Sequence, residues 1–525
     1  MNTKIKISFI VSILVLVIFY FALKNIILFE EILFLYLIPY LLFLIPVIIF
    51  ILVKYAFKKK DTLWAFYLKL FVPSTLFQIL LIILVFYFSP SKEIYKKDAV
   101  KDLDYMLKTI EDVHPNSYEQ ISKERFYSDV EKVKNGFPLK MKVEDFYRKV
   151  LMLNAEIKDG HTSPDLGYYF NSRYFFYKKI FPYKIKIVND RIIVIENYSY
   201  KCKIPIGSEI IEINGISSNE VINKVSKLIS YENEAFRNYY LSMPFSLSIW
   251  NNYEDYLIKY IEVNSNNYNT IETNGGLFAK INFIRQQMKK TKSFEFNILR
   301  NNIGYIEFNH FNNLDKFSEF LENTFTIIKN KNIDNILIDI RKNDGGNSLL
   351  GDELLQYISH KPFKQFERMI FKKSNEAVLS NKISDSDTNK IGTLVEYSNS
   401  KEIQLRENPL RFSGNCFLLV GGNTFSSASS FASTFQCYKV GKIIGSETGG
   451  LTVCYGDICS YKLPNSGIDM VVSCKKFYNT CGIDNRRGVI PDYIVQNSLE
   501  DEQNNFDRVL DYTLNIIKEQ STLNY

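Results

Sequence analysis

Long apolar runs fill the first 91 positions of the chain, and shorter alternating patterns follow them. Residues 7–23, 32–53 and 70–91 contain no charged side chain. Because about 20 apolar residues in a helix cross the hydrocarbon core of a bilayer, these stretches predict three transmembrane helices within residues 1–91. A cleaved signal peptide is the alternative for the first stretch, since Lys4 and Lys6 precede it.

The lysines beside these stretches predict an orientation. Five lysines lie in the second connecting loop, residues 54–69, whereas the first loop carries Lys24 beside Glu30 and Glu31. The positive-inside rule therefore places the N-terminus and the second loop in the cytoplasm. We expect an integral membrane protein whose residues 92–525 lie on the extracytoplasmic side.

Apolar residues recur at helical spacing from residue 97 to about residue 155, for example at Leu103, Met106, Leu107 and Ile110. This spacing predicts a helical cap, which we assign to residues 92–175. The pattern then changes to strand-like alternation in YKIKIVNDRIIVIEN, residues 183–197, and predicts a hairpin around an Asn-Asp turn.

Residues 204–216 read IPIGSEIIEINGI and precede a predicted helix at residues 220–228. A glycine turn, a short strand and an Asn-Gly turn in this order are typical of a PDZ-like module, which we assign to residues 176–235. Such a module adds a peptide to its edge as an extra strand, and residues 204–208 would be the matching loop. An ordinary β-hairpin subdomain without a ligand is the alternative. Residues 236–300 are a connecting segment.

Residues 301–525 alternate apolar strands with helices. Strands are predicted at residues 303–309, 335–340 and 414–420, and helices at residues 314–329 and 349–358. Several strands run into Gly-rich turns, RKNDGGNS, GGNTFSSASSFASTF and GSETGG. This order predicts an α/β fold with a parallel sheet whose functional loops gather at the carboxyl ends of the strands.

Charge and cysteine content narrow the class of protein. The chain has 525 residues and a net charge of +7, of which +5 comes from the segment before residue 92. No basic face is left to bind nucleic acid. Six of the seven cysteines lie between Cys416 and Cys481, a region without histidine, so a zinc site is not indicated. Disulfides such as Cys454 with Cys459 and Cys474 with Cys481, or buried free thiols, both fit the sequence.

The turn GGNTFSSASSFA is the first candidate for chemistry. A serine between a buried strand and a helix start has free backbone N–H groups and the positive end of the helix nearby, which stabilise an oxyanion. Serine is also a common helix cap, so each of these serines has a structural alternative. Gly345 and Gly346 let the backbone approach a ligand closely and direct N–H groups at it. Of the four histidines, His161 in KDGHTSP is the candidate base.

The motifs DGHT, IPIGSEIIEING, IGYIEFNHF, LIDIRKNDGG, FLLVGGNTFSSASSFA, GKIIGSETGG, LPNSG and RRGVIPDYIV follow one another along the chain. This order resembles the family of C-terminal-processing (tail-specific) serine peptidases, over about residues 97–495. The resemblance implies a crotonase-like (ClpP-like) peptidase core at residues 301–525, with a helical cap and a PDZ-like module.

The resemblance also implies roles for single residues. The family's nucleophile falls on Ser427, with Ser430 where glutamate is usual, and the oxyanion hole on the backbone N–H groups of Gly345, Gly346 and Ala428. Leu451 or Thr452 stands where one branch of the family has a catalytic lysine. The tricorn-core-like branch, with a histidine base, therefore fits better through His161. Asp484 is the candidate third catalytic group, one residue out of register.

The function expected from the sequence is a membrane-anchored extracytoplasmic serine endopeptidase. It would hydrolyse peptides or protein C-terminal regions through a Ser/His acyl-enzyme mechanism. That chemistry requires no metal and no organic cofactor. The alternative is a catalytically silent peptide- or hydrophobic-ligand-binding protein on the same fold. The expected partners are a peptide or protein substrate and the membrane, not nucleic acid, and the oligomeric state stays open.

Overall fold

The structure, a computed structural model, describes residues 93–523 apart from residues 165–178, 199–201, 244–245, 251–252, 264, 266, 278–291, 381, 383–389, 400 and 505. The helices are α1 (Lys96–Val113), α2 (Lys123–Asn135), α3 (Val143–Ala155), α4 (Ser218–Ser226), α5 (Glu234–Leu241), α6 (Ser246–Ile249), α7 (Leu314–Asn330), α8 (Leu349–Ile358), α9 (Asn375–Leu379), α10 (Ser427–Cys437), α11 (Leu499–Gln503) and α12 (Arg508–Leu523). The first eleven strands are β1 (Glu93–Tyr95), β2 (Lys140–Lys142), β3 (Ser163–Pro164), β4 (Lys179–Ile180), β5 (Tyr183–Val188), β6 (Arg191–Asn197), β7 (Glu209–Ile213), β8 (Ile216–Ser217), β9 (Asp255–Ile261), β10 (Tyr268–Asn274) and β11 (Gly276–Leu277). The remaining strands are β12 (Phe294–Leu299), β13 (Ile303–Phe308), β14 (Asn335–Asp339), β15 (Phe366–Lys372), β16 (Leu394–Ser398), β17 (Asn415–Val420), β18 (Lys442–Gly445), β19 (Val453–Lys462), β20 (Asp469–Asn479) and β21 (Tyr493–Ile494).

The prediction of three transmembrane helices needs correction. Residues 7–23, 32–53 and 70–91 lie outside the described residues. Among the helices that are described, none has both the length and the apolar composition required to cross a bilayer. The structure thus gives no support to the transmembrane helices, nor to the integral membrane location inferred from them.

Helices α1, α2 and α3 form the predicted helical unit, and the strands β1 and β2 pair beside them. The predicted apolar stripe of α1, Leu103, Met106, Leu107 and Ile110, is buried. It belongs to one apolar cluster with Met470 and Val472 of β20 together with other residues of the β19–β20 hairpin. The cap is therefore anchored on a hairpin that belongs to the C-terminal half of the chain.

A buried carboxylate strengthens this anchor. Asp102 of α1 accepts hydrogen bonds from the backbone N–H groups of Asn465 and Ser466, at 2.9 and 2.7 Å, and from the Asn465 side chain at 2.8 Å. Asn465 and Ser466 lie in the tight connection between β19 and β20. The charge of Asp102 is fully buried, so these donors replace the water that it loses on folding.

The β-rich module is a sheet with the strand order β10-β9-β7-β6-β5, and β8 pairs with β7. It is larger than the predicted residues 176–235, because β9 and β10 lie in residues 236–300, the predicted connecting segment. Its hairpin β5–β6 turns at Asn189 and Asp190, both in the left-handed region with φ of 49° and 56°. This confirms the predicted Asn-Asp turn, because asparagine and aspartate tolerate that backbone conformation best after glycine. Apolar residues of α4, α5 and α6 cover one face of the sheet.

The loop at residues 204–208 is in contact with another part of the same chain. Gln503 of α11 lies so close to Gly207 that a Cβ atom on Gly207 would stand 2.0 Å from the Gln503 Cγ. The Gln503 Nε2 donates to the Gly207 carbonyl at 3.4 Å, and Lys186 forms an ion pair with Glu502. In this structure α11 therefore covers the loop proposed for peptide binding.

The C-terminal half is built on a second sheet with the order β12-β13-β14-β17-β18-β21. Strand β12 is antiparallel to β13, and all other neighbours are parallel. Ile336 and Ile338 face one apolar cluster with α7, α8 and α10, whereas Leu337 faces another with α12. Burial on both faces explains why these strands read as continuous apolar runs.

Parallel pairing brings the Gly-rich turns together. Strand β14 ends beside β17, with Asp339 opposite Leu419, so the turns RKNDGGNS and GGNTFSS leave the same edge of the sheet. A third sheet, β16-β15-β20-β19, holds β3 along β20, with Ser163 opposite Val471. Because β3 begins two residues after His161, β20 fixes the position of the DGHT turn.

One disulfide joins Cys437, the last residue of α10, to Cys481 after β20. Cys416, Cys454, Cys459 and Cys474 are free thiols. Neither of the two pairings considered from the sequence forms, and the observed one links the Ser-rich helix to the segment that carries Asp484.

Replacing Asp102 by alanine should destabilise the full-length protein by about 2–3 kcal/mol, because the buried N–H groups of Asn465 and Ser466 would lose their acceptor. The matched control is Asp104→Ala on the same helix, where an exposed ion pair with Lys134 is lost and the cost should stay below about 1 kcal/mol. Urea unfolding of both variants measures the difference, and equal midpoints would contradict the anchoring role of Asp102.

Candidate active site

The DGHT turn after α3 is organised by Asp159, whose side chain is fully buried. Its Oδ1 accepts the backbone N–H of His161 at 2.9 Å, and its Oδ2 accepts the hydroxyls of Thr162 and Ser473 at 2.5 and 2.7 Å. Aspartate favours this local turn because its carboxylate reaches the N–H two residues later. The carboxylate thus fixes the backbone of His161 and ties it to β20.

His114 completes the shell around Asp159. The His114 Nδ1 accepts the backbone N–H of Asn116 at 3.1 Å, so its proton is on Nε2, which donates to Asp159 Oδ2 at 3.2 Å. Burial disfavours the charged form of Asp159, but the hydrogen bond from His114 and the nearby His161 and Ser473 outweigh it and hold the pKa of Asp159 well below its ordinary value. The ring of His114 therefore supports an ionised Asp159.

The structure brings His161 to Ser426, the residue before the predicted nucleophile. The His161 Nε2 lies 3.0 Å from the Ser426 Oγ. The hydroxyl of Ser427 instead donates to the Gly346 carbonyl at 2.6 Å. Of the two serines, Ser426 has the geometry required between a nucleophile and a general base.

Ser426 also has a strained backbone, with φ of 52° and ψ of −128° just before α10. A residue with a Cβ atom rarely adopts this conformation, and holding it costs about 1–3 kcal/mol. The neighbours enforce it: the Phe425 N–H donates to the Asn343 carbonyl at 3.1 Å, and the Thr424 hydroxyl donates to the Ile340 carbonyl at 3.0 Å. A sharp strand-to-helix turn of this kind exposes a serine hydroxyl at the edge of a sheet.

Gly345 packs directly against this turn. A Cβ atom on Gly345 would lie 2.7 Å from the Ser426 Cβ and 2.9 Å from the Ser427 nitrogen, and the φ of Gly345 is +101°. Only glycine fits both the space and the backbone conformation. The predicted proximity of the two Gly-rich turns is present in the structure.

The predicted oxyanion-hole donors differ in their availability. The Gly345 N–H donates to the Asn343 side chain at 3.0 Å, and the Ala428 N–H donates to the Phe425 carbonyl at 3.1 Å. Within the described residues, the backbone N–H groups of Gly346 and Ser427 have no protein acceptor. Among the described residues, the backbone N–H groups of Gly346 and of Ser427, the residue after Ser426, are thus the donors available to an oxyanion.

The ring of His161 is held from one side by aromatic stacking. It stacks on Phe425 with the ring centroids 4.6 Å apart, and Phe425 in turn stacks on Phe236 of α5 at 4.4 Å. Burial lowers the pKa of His161, against the raising effect of the Asp159 charge. His161 is therefore neutral in the resting state near pH 7, as a general base requires.

Asp484, the predicted third catalytic group, is hydrogen-bonded elsewhere. Its Oδ2 accepts from the Lys476 Nζ at 2.8 Å, and Lys476 also contacts Glu119. The carboxylates nearest to the His161 Nδ1 are Asp159, with its Oδ1 at 3.9 Å, and Glu232, with its Oε1 at 4.0 Å. No sequence motif pointed to Glu232, which follows α4 in a polar stretch.

Asp159, His161 and Glu232 are also the described residues that come closest to a metal-ligand set, with one ligand atom of each within 4.8 Å of the others. Their oxygens already accept protein hydrogen bonds: four donors reach Asp159, and the Gly160 N–H reaches Glu232 Oε1 at 3.2 Å. This bonding favours a network that orients and shares protons over a set of ligands waiting for a cation.

Comparisons with known proteins identify the family and the fold. The sequence model described as peptidase family S41 matches residues 302–495. No curated protein sequence matches the chain. The chain is similar in structure to mature CPAF, at 14% identity with a TM-score of 0.56, covering 78% of this chain and 94% of that chain.

A structure of mature CPAF complexed with lactacystin gives 13% identity and a TM-score of 0.58 over 81% of this chain and 98% of that chain. The photosystem II D1 C-terminal processing protease gives 14% identity over 77% of this chain and 96% of that chain, with a TM-score of only 0.39. The two CPAF structures confirm the α/β fold, and the family match covers both Gly-rich turns of the site. The resemblance to C-terminal-processing serine peptidases is thereby confirmed through residues 302–495, which match peptidase family S41, whereas the DGHT motif lies outside the matched residues; the chain is a serine-type peptidase.

Proposed function

We propose that this peptidase hydrolyses peptides or protein C-terminal regions with Ser426 as nucleophile and His161 as general base. The observation that carries this assignment is the 3.0 Å contact between the His161 Nε2 and the Ser426 Oγ. The strained backbone of Ser426 supports it independently, because strain of this kind is retained at functional positions. The proposal moves the nucleophile expected at Ser427 by one residue toward the N-terminus.

The reaction follows from this geometry. His161 Nε2 takes the Ser426 proton while Oγ bonds to the substrate carbonyl carbon, and the N–H groups of Gly346 and Ser427 stabilise the oxyanion. His161 then gives the proton to the leaving amine as the C–N bond breaks, which leaves an acyl-enzyme. Water, deprotonated by His161, releases the acid and restores the serine hydroxyl.

A preference for C-terminal regions rests on the family resemblance alone. The loop at residues 204–208, which would bind a peptide end in a PDZ-like module, is covered by α11. While α11 covers that loop, the substrate must be bound by the edge of the parallel sheet next to the serine and not by the loop at residues 204–208. A catalytically silent binding protein, the alternative on this fold, has no need of a strained serine in contact with a histidine.

A fluorophosphonate probe should form an adduct on Ser426 of the full-length protein, since the hydroxyl is activated by His161. Ser426→Ala should abolish the adduct and peptide hydrolysis. Ser427→Ala should keep the adduct on Ser426, at a rate reduced by about tenfold at most, because only the hydrogen bond to the Gly346 carbonyl is lost. Mass spectrometry of the labelled peptide decides: an adduct on Ser427 would restore the original assignment.

Gly345→Ala should lower kcat by at least about 100-fold, because the added Cβ would displace Ser426 from the oxyanion donors. The matched control is Gly215→Ala, another glycine of positive φ, at +78°, which has no atom within 4 Å of the added Cβ. The control variant should lose about 1 kcal/mol of stability and keep its kcat. Peptide hydrolysis by both variants tests whether activity requires the close contact of Gly345 with Ser426, and equal kcat values would argue against that requirement.

A further inference from the structure

Glu232 is the described carboxylate near His161 that keeps an unused oxygen. Its side chain is 2% exposed, and its Oε1 accepts the Gly160 N–H at 3.2 Å. The Glu232 Oε2 and the His161 Nδ1 are both buried, and neither makes a hydrogen bond within the described residues. Two buried side chains that approach each other to 4.0 Å, through the Glu232 Oε1 and the His161 Nδ1, thus each keep an atom without a hydrogen-bond partner.

Asp159, the other nearby carboxylate, is already engaged. It receives the His161 backbone N–H, the Thr162 and Ser473 hydroxyls and the His114 Nε2–H. A carboxylate offers about four lone-pair positions, so Asp159 has little capacity left for the imidazole ring. Its role is to hold the turn, while Glu232 is available to the ring.

We propose that Glu232 is the positioning residue of the active site and that its protonation state selects the tautomer of His161. As a carboxylate, Glu232 accepts a hydrogen bond from the Nδ1–H of the neutral ring, which keeps the proton on Nδ1 and leaves the Nε2 lone pair free to take the Ser426 proton. As a neutral acid, Glu232 donates its O–H to Nδ1, and the ring then carries its own proton on Nε2. In that second form the Nε2–H of His161 is directed at the Ser426 Oγ, so Nε2 has no lone pair available to accept the serine proton. The proposal rests on the proposed Ser426–His161 mechanism.

The 4.0 Å separation between Glu232 Oε1 and the His161 Nδ1 exceeds a hydrogen bond by about 1 Å. Catalytic hydrogen bonds are often long before substrate binds and shorten in the complex. The turn that carries His161 and the segment that carries Glu232 are already joined, because the Ser230 hydroxyl donates to the Asp159 carbonyl at 2.7 Å and Arg486 donates to the Glu232 carbonyl at 2.8 Å. A small side-chain rotation therefore completes the contact.

The surroundings of Glu232 contain both signs of charge. A small cavity of about 10 Å³, roughly the space for one water molecule, adjoins its carboxyl. The titratable groups that face Glu232 or line this cavity are Asp159 and Lys158 from the DGHT turn, His161, Glu119 from the segment before α2, Cys454 and Tyr455 of β19, and Asp484 and Arg486 after β20. Lys476 forms direct ion pairs with both Glu119 and Asp484 and so offsets one of their two negative charges.

Burial, followed by repulsion from Asp159, raises the pKa of Glu232 to about 8, although hydrogen bonds from backbone N–H groups and the charge of Arg486 act in the opposite direction. A raised pKa means that Glu232 keeps its proton at neutral pH and releases it to water as the pH passes 8. The base-competent tautomer therefore accumulates on the alkaline side, and activity should rise with pH through this range.

The test is the rate of fluorophosphonate labelling of Ser426 in the full-length protein between pH 6 and pH 10. The wild-type rate should increase through about pH 8. Glu232→Gln mimics the neutral acid, so its rate should fall by about 100-fold or more at the alkaline end and lose the rise with pH. Glu232→Asp should recover part of the labelling rate and part of its rise with pH. Glu234→Gln, two residues away at an exposed carboxylate paired with Arg237, is the matched control and should follow the wild-type profile.

Nitrogen NMR of His-labelled wild-type protein provides a measurement that needs no variant. The His161 imidazole should carry its proton on Nε2 below pH 8 and on Nδ1 above it. A single tautomer throughout, or an unchanged labelling profile in Glu232→Gln, would overturn the role of Glu232. Loss of the rise in Asp484→Asn but not in Glu232→Gln would return that role to Asp484. No adduct on Ser426 in the wild type would instead refute the underlying mechanism, and the inference with it.

Discussion

The arrangement of the site depends on one buried charge, the carboxylate of Asp159. It is removed from water, and four donors from three parts of the chain replace the hydration it loses. His114 comes from the end of the cap helix α1, His161 and Thr162 from the turn itself, and Ser473 from the hairpin strand β20. A charge that needs all of these partners holds the cap and the hairpin in one relative position, and the base for Ser426 inherits that position.

The position of Ser426 depends on the parallel sheet. Strands β14 and β17 are neighbours, so their following turns meet, and the close contact of Gly345 with Ser426 fixes how they meet. The proposed base and the proposed nucleophile thus come from two separately organised structures, a cap turn and a sheet edge. The stacking of Phe425 between His161 and Phe236 adds a third support, which comes from the β-rich module.

Much of this was readable from the sequence, for physical reasons that differ from element to element. The strands β13, β14 and β17 and helix α7 were predicted because buried strands and amphipathic helices leave strong periodic patterns. The turns that hold His161 and Gly345 were located because glycine and aspartate mark backbone that other residues tolerate poorly. The serine in contact with His161 lies one position before the predicted Ser427, and the run SSASS has no hydrophobic period to indicate where the helix begins. Glu232 could not be identified from the sequence, because its burial and its contacts come from segments that are distant along the chain.

The conformation of Ser426 bears on how this lineage can evolve. A backbone in that region suits glycine, whereas serine holds it at a cost of about 1–3 kcal/mol. Selection for stability alone would favour glycine at position 426, so a serine persists there only while its hydroxyl is needed. Relatives that have lost hydrolysis and kept the fold for binding are therefore expected to acquire glycine at this position first. The residue at position 426 would then indicate whether a given relative still hydrolyses peptides.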